Sequence, residues 1–155
     1  LEAGQSNFKF LIVGEGDERG FLEKNMRFAE VTGFLDGEQL AEAYANMDVF
    51  VFPSETETFG NVVQEANASG VPAIVTDQGG PKFIVRHNET GFIAENTGEF
   101  VKYSLELMND AEKLAKMKRL SRKFAQSRSW DAVFKAVYQA YAETYAIGLA
   151  DKNNK

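Results

Sequence analysis

Short apolar runs alternate along this sequence with longer segments whose hydrophobic residues recur at helical spacing. The first run, residues 8–13, stops at Gly14, and the run at 48–52 stops at Pro53, which cannot continue a central strand. Apolar runs of this length are typical of strands that are buried on both faces of a parallel sheet. Three further runs complete a set of five candidate strands, at residues 27–32, 73–76 and 91–94.

Helical segments separate these strands and then occupy the carboxyl-terminal part of the chain. They lie at residues 18–25, 38–46, 61–69, 98–109, 111–125 and 130–147, with a short helical turn at 81–85. The second has an apolar face made of Leu40, Ala43, Tyr44 and Met47. Strands that alternate with helices form a parallel sheet covered on both faces. The sequence therefore predicts an α/β, Rossmann-like domain over residues 1–150 with a helical carboxyl-terminal end, followed by a disordered tail at 151–155.

Composition excludes several kinds of protein. The chain has 155 residues, a net charge of −6 and no cysteine, so disulfide scaffolds and thiol chemistry are excluded. An acidic domain lacks the basic face that sequence-independent nucleic-acid binding needs, and we expect no nucleic-acid partner. No apolar run is long enough to span a bilayer, and the first residues do not resemble a signal peptide. We therefore expect a cytoplasmic location.

The segment between the third strand and the next helix has the features of an anion site. Ligands of such folds bind beyond the carboxyl ends of the strands. The helix is predicted to begin near Gly60 and Asn61, so that its unpaired N–H groups face the loop and favour an anion such as a diphosphate. Gly60 also allows a ligand to approach the backbone closely. Glu57 lies just before the helix and Glu65 one to two turns inside it, so both can border the same ligand.

Two carboxylates in this position suit a nucleotide sugar. A carboxylate can accept hydrogen bonds from both hydroxyls of a vicinal diol, and a ribose and a hexose each carry one. As an isolated pair, Glu57 and Glu65 would more often be a turn residue and a solvated helix residue. The residues around them favour the binding interpretation.

The surrounding motifs extend over nearly the whole chain. Seven residues separate Glu57 from Glu65, and residues 57–66 read Glu-Thr-Phe-Gly-Asn-Val-Val-Gln-Glu-Ala. This run resembles the signature of the family 4 retaining glycosyltransferases (glycosyl transferases group 1), which have the GT-B fold. Further matches lie at residues 13–17, 32–35, 45–50, 68–72, 79–81, 88–92 and 129–131. The similarity is closest to the subgroup that includes GDP-mannose-dependent α-mannosyltransferases and sulfoquinovosyl-diacylglycerol synthases.

The resemblance implies a carboxyl-terminal donor-binding domain and a role for each matching residue. Glu65 would bind the ribose hydroxyls of the donor, and Glu57, the catalytic residue, would contact the transferred sugar. The backbone N–H groups of Phe59, Gly60 and Asn61 would meet the sugar or the distal phosphate.

Three residues upstream would complete the donor site. Leu35 would touch the base through its backbone, and Gly14 and Gly16 would keep the mouth of the cleft open. The family moves a hexosyl group from an NDP-sugar, such as GDP-mannose or a UDP-hexose, to a hydroxyl of a saccharide or lipid-linked acceptor. It is described by a front-face mechanism with retention, and no metal or other cofactor is expected.

The chain departs from the family pattern at its start. It begins after the position of the first strand of this domain, which in the family carries an Arg and a Lys that neutralise the leaving diphosphate. The resemblance also implies an amino-terminal acceptor domain, which we do not expect within these 155 residues. The resemblance implies that the intact parent is a retaining hexosyltransferase. Because charge stabilisation of the leaving group is a large catalytic contribution, we expect this chain alone to be inactive.

Other interpretations remain open. The same fold could serve as a non-catalytic nucleotide-binding or docking module. Basic residues between 113 and 123 suit an acidic membrane, so a peripheral contact at the inner membrane surface is compatible with the sequence, although such a face is more often simply solvated. Aromatic residues of the last helix are expected in core or interdomain contacts, since in this family that helix crosses onto the amino-terminal domain; they include Phe134, Tyr138, Tyr141 and Tyr145.

Overall fold

The computed structural model describes residues 8–26 and 28–153. Residues 1–7 of the predicted domain, and residue 27 of its predicted second strand, lie outside this part. Within it, strands and helices follow the predicted order: β1 (Phe10–Val13), α1 (Arg19–Asn25), β2 (Ala29–Gly33), α2 (Gly37–Ala45), β3 (Phe50–Phe52), α3 (Asn61–Ala68), β4 (Ala73–Thr76), a 3-10 helix (Pro81–Phe83), β5 (Gly91–Ala94), α4 (Thr97–Asn109), α5 (Ala111–Gln126) and α6 (Trp130–Asn153).

All strand pairs are parallel, but in the described part of the chain the strands form two sheets. β1 pairs with β2, with Phe10 opposite Ala29 and Ile12 opposite Val31. In the second sheet β4 lies between β3 and β5. The predicted parallel α/β architecture is confirmed, whereas the division of the sheet was not indicated by the sequence.

Strand β4 forms the centre of the hydrophobic core. Its residues Ala73, Ile74 and Val75 are completely buried. Ile74 packs against Leu107 of α4, while Ala73 and Val75 pack on the opposite face against Val63 of α3. Successive side chains of a strand point to opposite faces, so the second sheet is covered by helices on both sides, as predicted.

One polar side chain lies in this core without a hydrogen bond. Asn67 of α3 is 1% exposed, and neither its amide nitrogen nor its amide oxygen has a partner in the described part of the chain. Helix α3 therefore places a polar side chain in the core, beside the segment that forms the candidate site.

Helix α6 presents an aromatic face to the exterior. The side chains of Trp130, Tyr138, Tyr141 and Tyr145 are each more than two thirds exposed, so none of these four contributes to a core within the described residues. The helix continues to Asn153, three residues into the predicted disordered tail, and residues 154 and 155 lie outside the described part. None of the described helices is long and apolar enough to cross a bilayer.

Candidate functional site

Gly60 shapes the junction between the loop after β3 and helix α3. Its φ of 92° and ψ of 52° lie in the left-handed region, which glycine adopts without strain. A Cβ at this position would lie 3.0 Å from Cγ of Pro81, a tight contact that adds to the preference for glycine. No side chain caps α3. Its first N–H groups therefore remain directed toward the loop, as an anion-binding helix end requires.

The loop after β4 lies directly against the backbone of the Glu57 segment. The N–H group of Gly80 donates a hydrogen bond to the carbonyl oxygen of Glu57 at 2.9 Å. A Cβ on Gly80 would lie 2.0 Å from the carbonyl oxygen of Thr58, and one on Gly79 would lie 2.5 Å from that of Glu57. The glycine pair therefore allows two loops to touch backbone to backbone and fixes the position of Glu57.

Replacement of Gly80 by alanine is expected to destabilise the protein by about 1–3 kcal/mol, the scale of overpacking in a well-packed region. The methyl group would force the backbone of Thr58 away, and Glu57 would move with it. Denaturant unfolding measures the loss. Gly20→Ala is the comparison variant: nothing lies within 4 Å of a Cβ at Gly20, and because that residue lies in α1, alanine there should keep or raise stability. Equal unfolding midpoints for Gly80→Ala and the natural protein would contradict the close contact.

The carboxylate of Glu57 turns back onto its own loop. The side chain is partly buried, and its Oε1 accepts a hydrogen bond from the N–H group of Phe59 at 3.2 Å. One of the three N–H groups predicted to meet the ligand is therefore already engaged. The other two, at Gly60 and Asn61, lie at the start of α3, as expected. The ring of Phe59 is itself exposed beside them.

Glu65 lies on the exposed side of α3, but its carboxylate is hydrogen-bonded to a buried side chain. Its Oε2 accepts a hydrogen bond from the hydroxyl of Tyr44 at 3.1 Å. Tyr44 comes from α2 and is only 5% exposed. Burial, and then the charge of Glu65, raise the pKa of the Tyr44 hydroxyl, so it remains a donor at neutral pH. The sequence placed Tyr44 on the apolar face of α2 and gave no signal for this contact.

The upstream residues gather at the ends of β1 and β2. The N–H group of Gly14 donates to the carbonyl oxygen of Gly33 at 2.9 Å, and both have positive φ. Nothing lies within 4 Å of a Cβ at Gly14 or Gly16, so this edge is open, as a cleft mouth would be. Leu35 is half-buried between β2 and α2.

Direct contacts link some of the predicted site residues, but not all of them. Glu57 and Phe59 are hydrogen-bonded to each other. Over residues 8–26 and 28–153, no hydrogen bond or ion pair links this group to Gly14, Gly16 or Leu35. In the same ranges no cluster of three or more His, Cys, Asp or Glu side chains could hold a metal ion.

Comparison with known sequences gives consistent matches. Residues 1–124 match the glycosyl transferases group 1 family. The chain is 34% identical over 147 residues to a GDP-mannose-dependent alpha-mannosyltransferase of Corynebacterium glutamicum, covering 94% of this chain and 36% of that protein. It is also 34% identical over 155 residues to an N-acetyl-alpha-D-glucosaminyl L-malate synthase of Bacillus anthracis, covering 95% of this chain and 40% of that protein.

Solved structures confirm the fold. Sucrose-phosphate synthase from Thermosynechococcus elongatus is 26% identical with a TM-score of 0.71, over 88% of this chain and 38% of that one. Anabaena Alr3699/HepE in complex with UDP-glucose gives a TM-score of 0.68 over 89% of this chain and 40% of that one; at 22% identity it supports the fold alone. The chain spans less than half the length of the curated relatives it matches.

Proposed function

The chain belongs to the glycosyl transferases group 1 family, and we propose that it forms the nucleotide-sugar-binding domain of a retaining hexosyltransferase. The donor is GDP-mannose or a UDP-hexose, and the acceptor is a hydroxyl of a saccharide or a lipid-linked molecule. The observation that carries this proposal is the end of α3, where a left-handed Gly60 opens the helix N-terminus between Glu57 and Glu65.

Each part of this helix end suits one part of the donor. The N–H groups of Gly60 and Asn61 and the positive end of the helix dipole favour the distal phosphate. Glu57 precedes the helix and accepts from hydroxyls of the sugar, while Glu65 accepts from the ribose diol. The contact of Gly80 with the Glu57 backbone holds the loop in place, which supports the positioning that transfer requires.

The proposed reaction exchanges one bond at the anomeric carbon for another. The bond from that carbon to the diphosphate oxygen breaks, and a bond to the acceptor oxygen forms on the same face of the sugar. The acceptor proton passes to the leaving phosphate. Glu57 positions the sugar in this step, and Glu65 anchors the nucleotide.

We also propose that a strand from a preceding segment lies between β1 and β3. In the described part of the chain β1 pairs only with β2, and β3 pairs only with β4, so each has an unpaired edge. Such edges are normally covered, and one inserted strand would pair with both. With that strand in place, the strand order would reverse at this point, which is where doubly wound sheets bind ligands. The Arg and Lys expected on that strand would then face the diphosphate.

The aromatic face of α6 is proposed to cover the amino-terminal acceptor domain. Five exposed rings recur along it at helical spacing: Trp130, Phe134, Tyr138, Tyr141 and Tyr145. A contiguous apolar face of this kind marks an interaction surface. The opposite face carries Lys135, Gln139 and Glu143 rather than a cluster of cations. With one cation and one anion on that opposite face, α6 suits a protein partner better than an anionic membrane.

For a cytoplasmic protein, we also propose a low-affinity contact of α5 with the inner membrane surface. Three of its six basic residues already have partners: Lys113 bonds to Glu106, Lys118 to Asp48 and Arg122 to the carbonyl oxygen of Ala68. The others form one exposed stripe, made of Lys116, Arg119 and Lys123. Each cation near an anionic surface contributes about 1 kcal/mol, so this stripe alone would bind weakly.

Titration calorimetry of the intact protein with GDP, UDP and ADP tests the proposed function. We expect heat of binding with GDP or UDP, because Glu65 and the end of α3 recognise a ribose followed by a diphosphate. Circular dichroism on the same sample shows whether the protein is folded. A folded protein that gives no heat with any of the three nucleotides would instead support the docking module.

A further inference from the structure

We propose that Tyr44 is a positioning residue, whose buried hydroxyl holds the carboxylate of Glu65 in the orientation that accepts the ribose diol. The inference rests on the proposed function of Glu65. It concerns a residue of α2, a helix that precedes the loop and helix of the proposed donor site.

The hydrogen bond connects a fixed group to a mobile one. The ring of Tyr44 packs with Ala66 and Val71 in a buried cluster, and Phe50 lies edge-on to it with a centroid separation of 5.9 Å. The hydroxyl therefore has a defined position. Glu65 is exposed and, without the bond, its side chain could adopt many rotamers. The 3.1 Å hydrogen bond selects among them before any ligand arrives.

The carboxylate has enough acceptor capacity for both partners. Its two oxygens offer about four lone-pair positions, of which Tyr44 uses one on Oε2. A ribose diol needs one position on each oxygen. Tyr44 and the diol can therefore be bound together, and ordering the side chain in advance strengthens ligand binding.

The tyrosine acts as the donor under ordinary conditions. Burial and the neighbouring charge of Glu65 raise the pKa of the Tyr44 hydroxyl above its usual value. A phenolate is thus excluded near neutral pH, and the proton stays between the two oxygens.

Helix α2 also connects two parts of the proposed donor site. It begins at Gly37, just after Leu35, so one short helix joins the loop predicted to touch the base to the group that orients the ribose carboxylate.

The test compares two ligands that differ only in the ribose hydroxyls. Binding of a nucleoside diphosphate (GDP or UDP) and its 2′,3′-dideoxy analogue is measured on the intact protein, with variants Tyr44→Phe, Glu65→Ala and the double variant. We expect Tyr44→Phe to weaken the diphosphate about 3- to 10-fold, the scale of one hydrogen bond, and to leave the dideoxy analogue unchanged. The double variant should match Glu65→Ala, because the hydroxyl acts only through that carboxylate.

Tyr103→Phe is the matched control, since Tyr103 is a buried tyrosine of another cluster. Phe50→Leu loosens the ring of Tyr44 but keeps its hydroxyl, and a smaller ribose-dependent loss is expected there even if Tyr44→Phe does not fold. An equal loss for both ligands in these variants, or no loss, would overturn the role of Tyr44. If Glu65→Ala itself leaves the diphosphate affinity unchanged, the proposed function of Glu65 fails instead.

Discussion

Replacing Glu57 by alanine is expected to lower turnover about 100-fold in the intact protein and to change donor affinity only a few-fold, the pattern for a group that acts mainly in the transition state. Glu57 lies in a loop whose backbone is fixed by Gly80, and its Oε1 already accepts a hydrogen bond from Phe59. The alanine variant would lose the sugar contact and release that N–H group. Steady-state transfer rates and donor titrations separate the two effects.

Glu55→Ala is the matched control for this prediction. Glu55 lies in the same loop and is exposed, so its removal should change stability by no more than about 0.5 kcal/mol, the usual range for a surface substitution, and should leave turnover unchanged. A Glu57→Ala variant that turns over at the natural rate would contradict the assignment. A large loss of donor affinity with unchanged turnover would place Glu57 in ground-state binding instead.

Replacing Glu65 by alanine should weaken nucleotide binding by about 1.5–3 kcal/mol, or about 10- to 150-fold, the usual range for hydrogen bonds to a charged group. The variant loses both ribose contacts and leaves the hydroxyl of Tyr44 without its partner. Calorimetry with GDP and UDP measures the change.

Glu42→Ala serves as the control for Glu65. Glu42 is an exposed glutamate of α2, and its removal should leave nucleotide affinity unchanged. If a folded Glu65→Ala variant binds the nucleotide with unaltered affinity, the nucleotide does not bind at this part of the surface.

Local sequence signals predicted the frame of the candidate site well. Pro53 marked the end of β3, and Gly60 marked the start of α3, because each reflects a backbone restriction that belongs to a single residue. β4 and β5 lie where the apolar runs predicted them. In the sequence, Gly79 and Gly80 are visible only as part of a motif, since a sequence does not reveal which backbone lies 2.0 Å from a missing Cβ.

Contacts between distant residues were not predictable in this way. Helical spacing placed Tyr44 on a buried face but could not show that its hydroxyl reaches a carboxylate 21 residues further along the chain. Lys118 belongs to the basic segment at 113–123, which suits a solvated or membrane-facing surface, yet it pairs with Asp48 at 2.7 Å. Asn67 shares the buried face of α3 although its side chain finds no hydrogen bond in the described part of the chain. In each case the three-dimensional arrangement, rather than periodicity, decides what the side chain meets.

A crystal structure of the intact protein with a bound nucleoside diphosphate tests the donor site most directly. We expect the ribose hydroxyls within about 3.2 Å of the carboxylate of Glu65, and the distal phosphate at the N–H groups of Gly60 and Asn61. The hydrogen bond from Tyr44 to Glu65 should remain in place. A nucleotide bound elsewhere, or one whose ribose lies away from Glu65, would contradict the assignment of this helix end as the donor site.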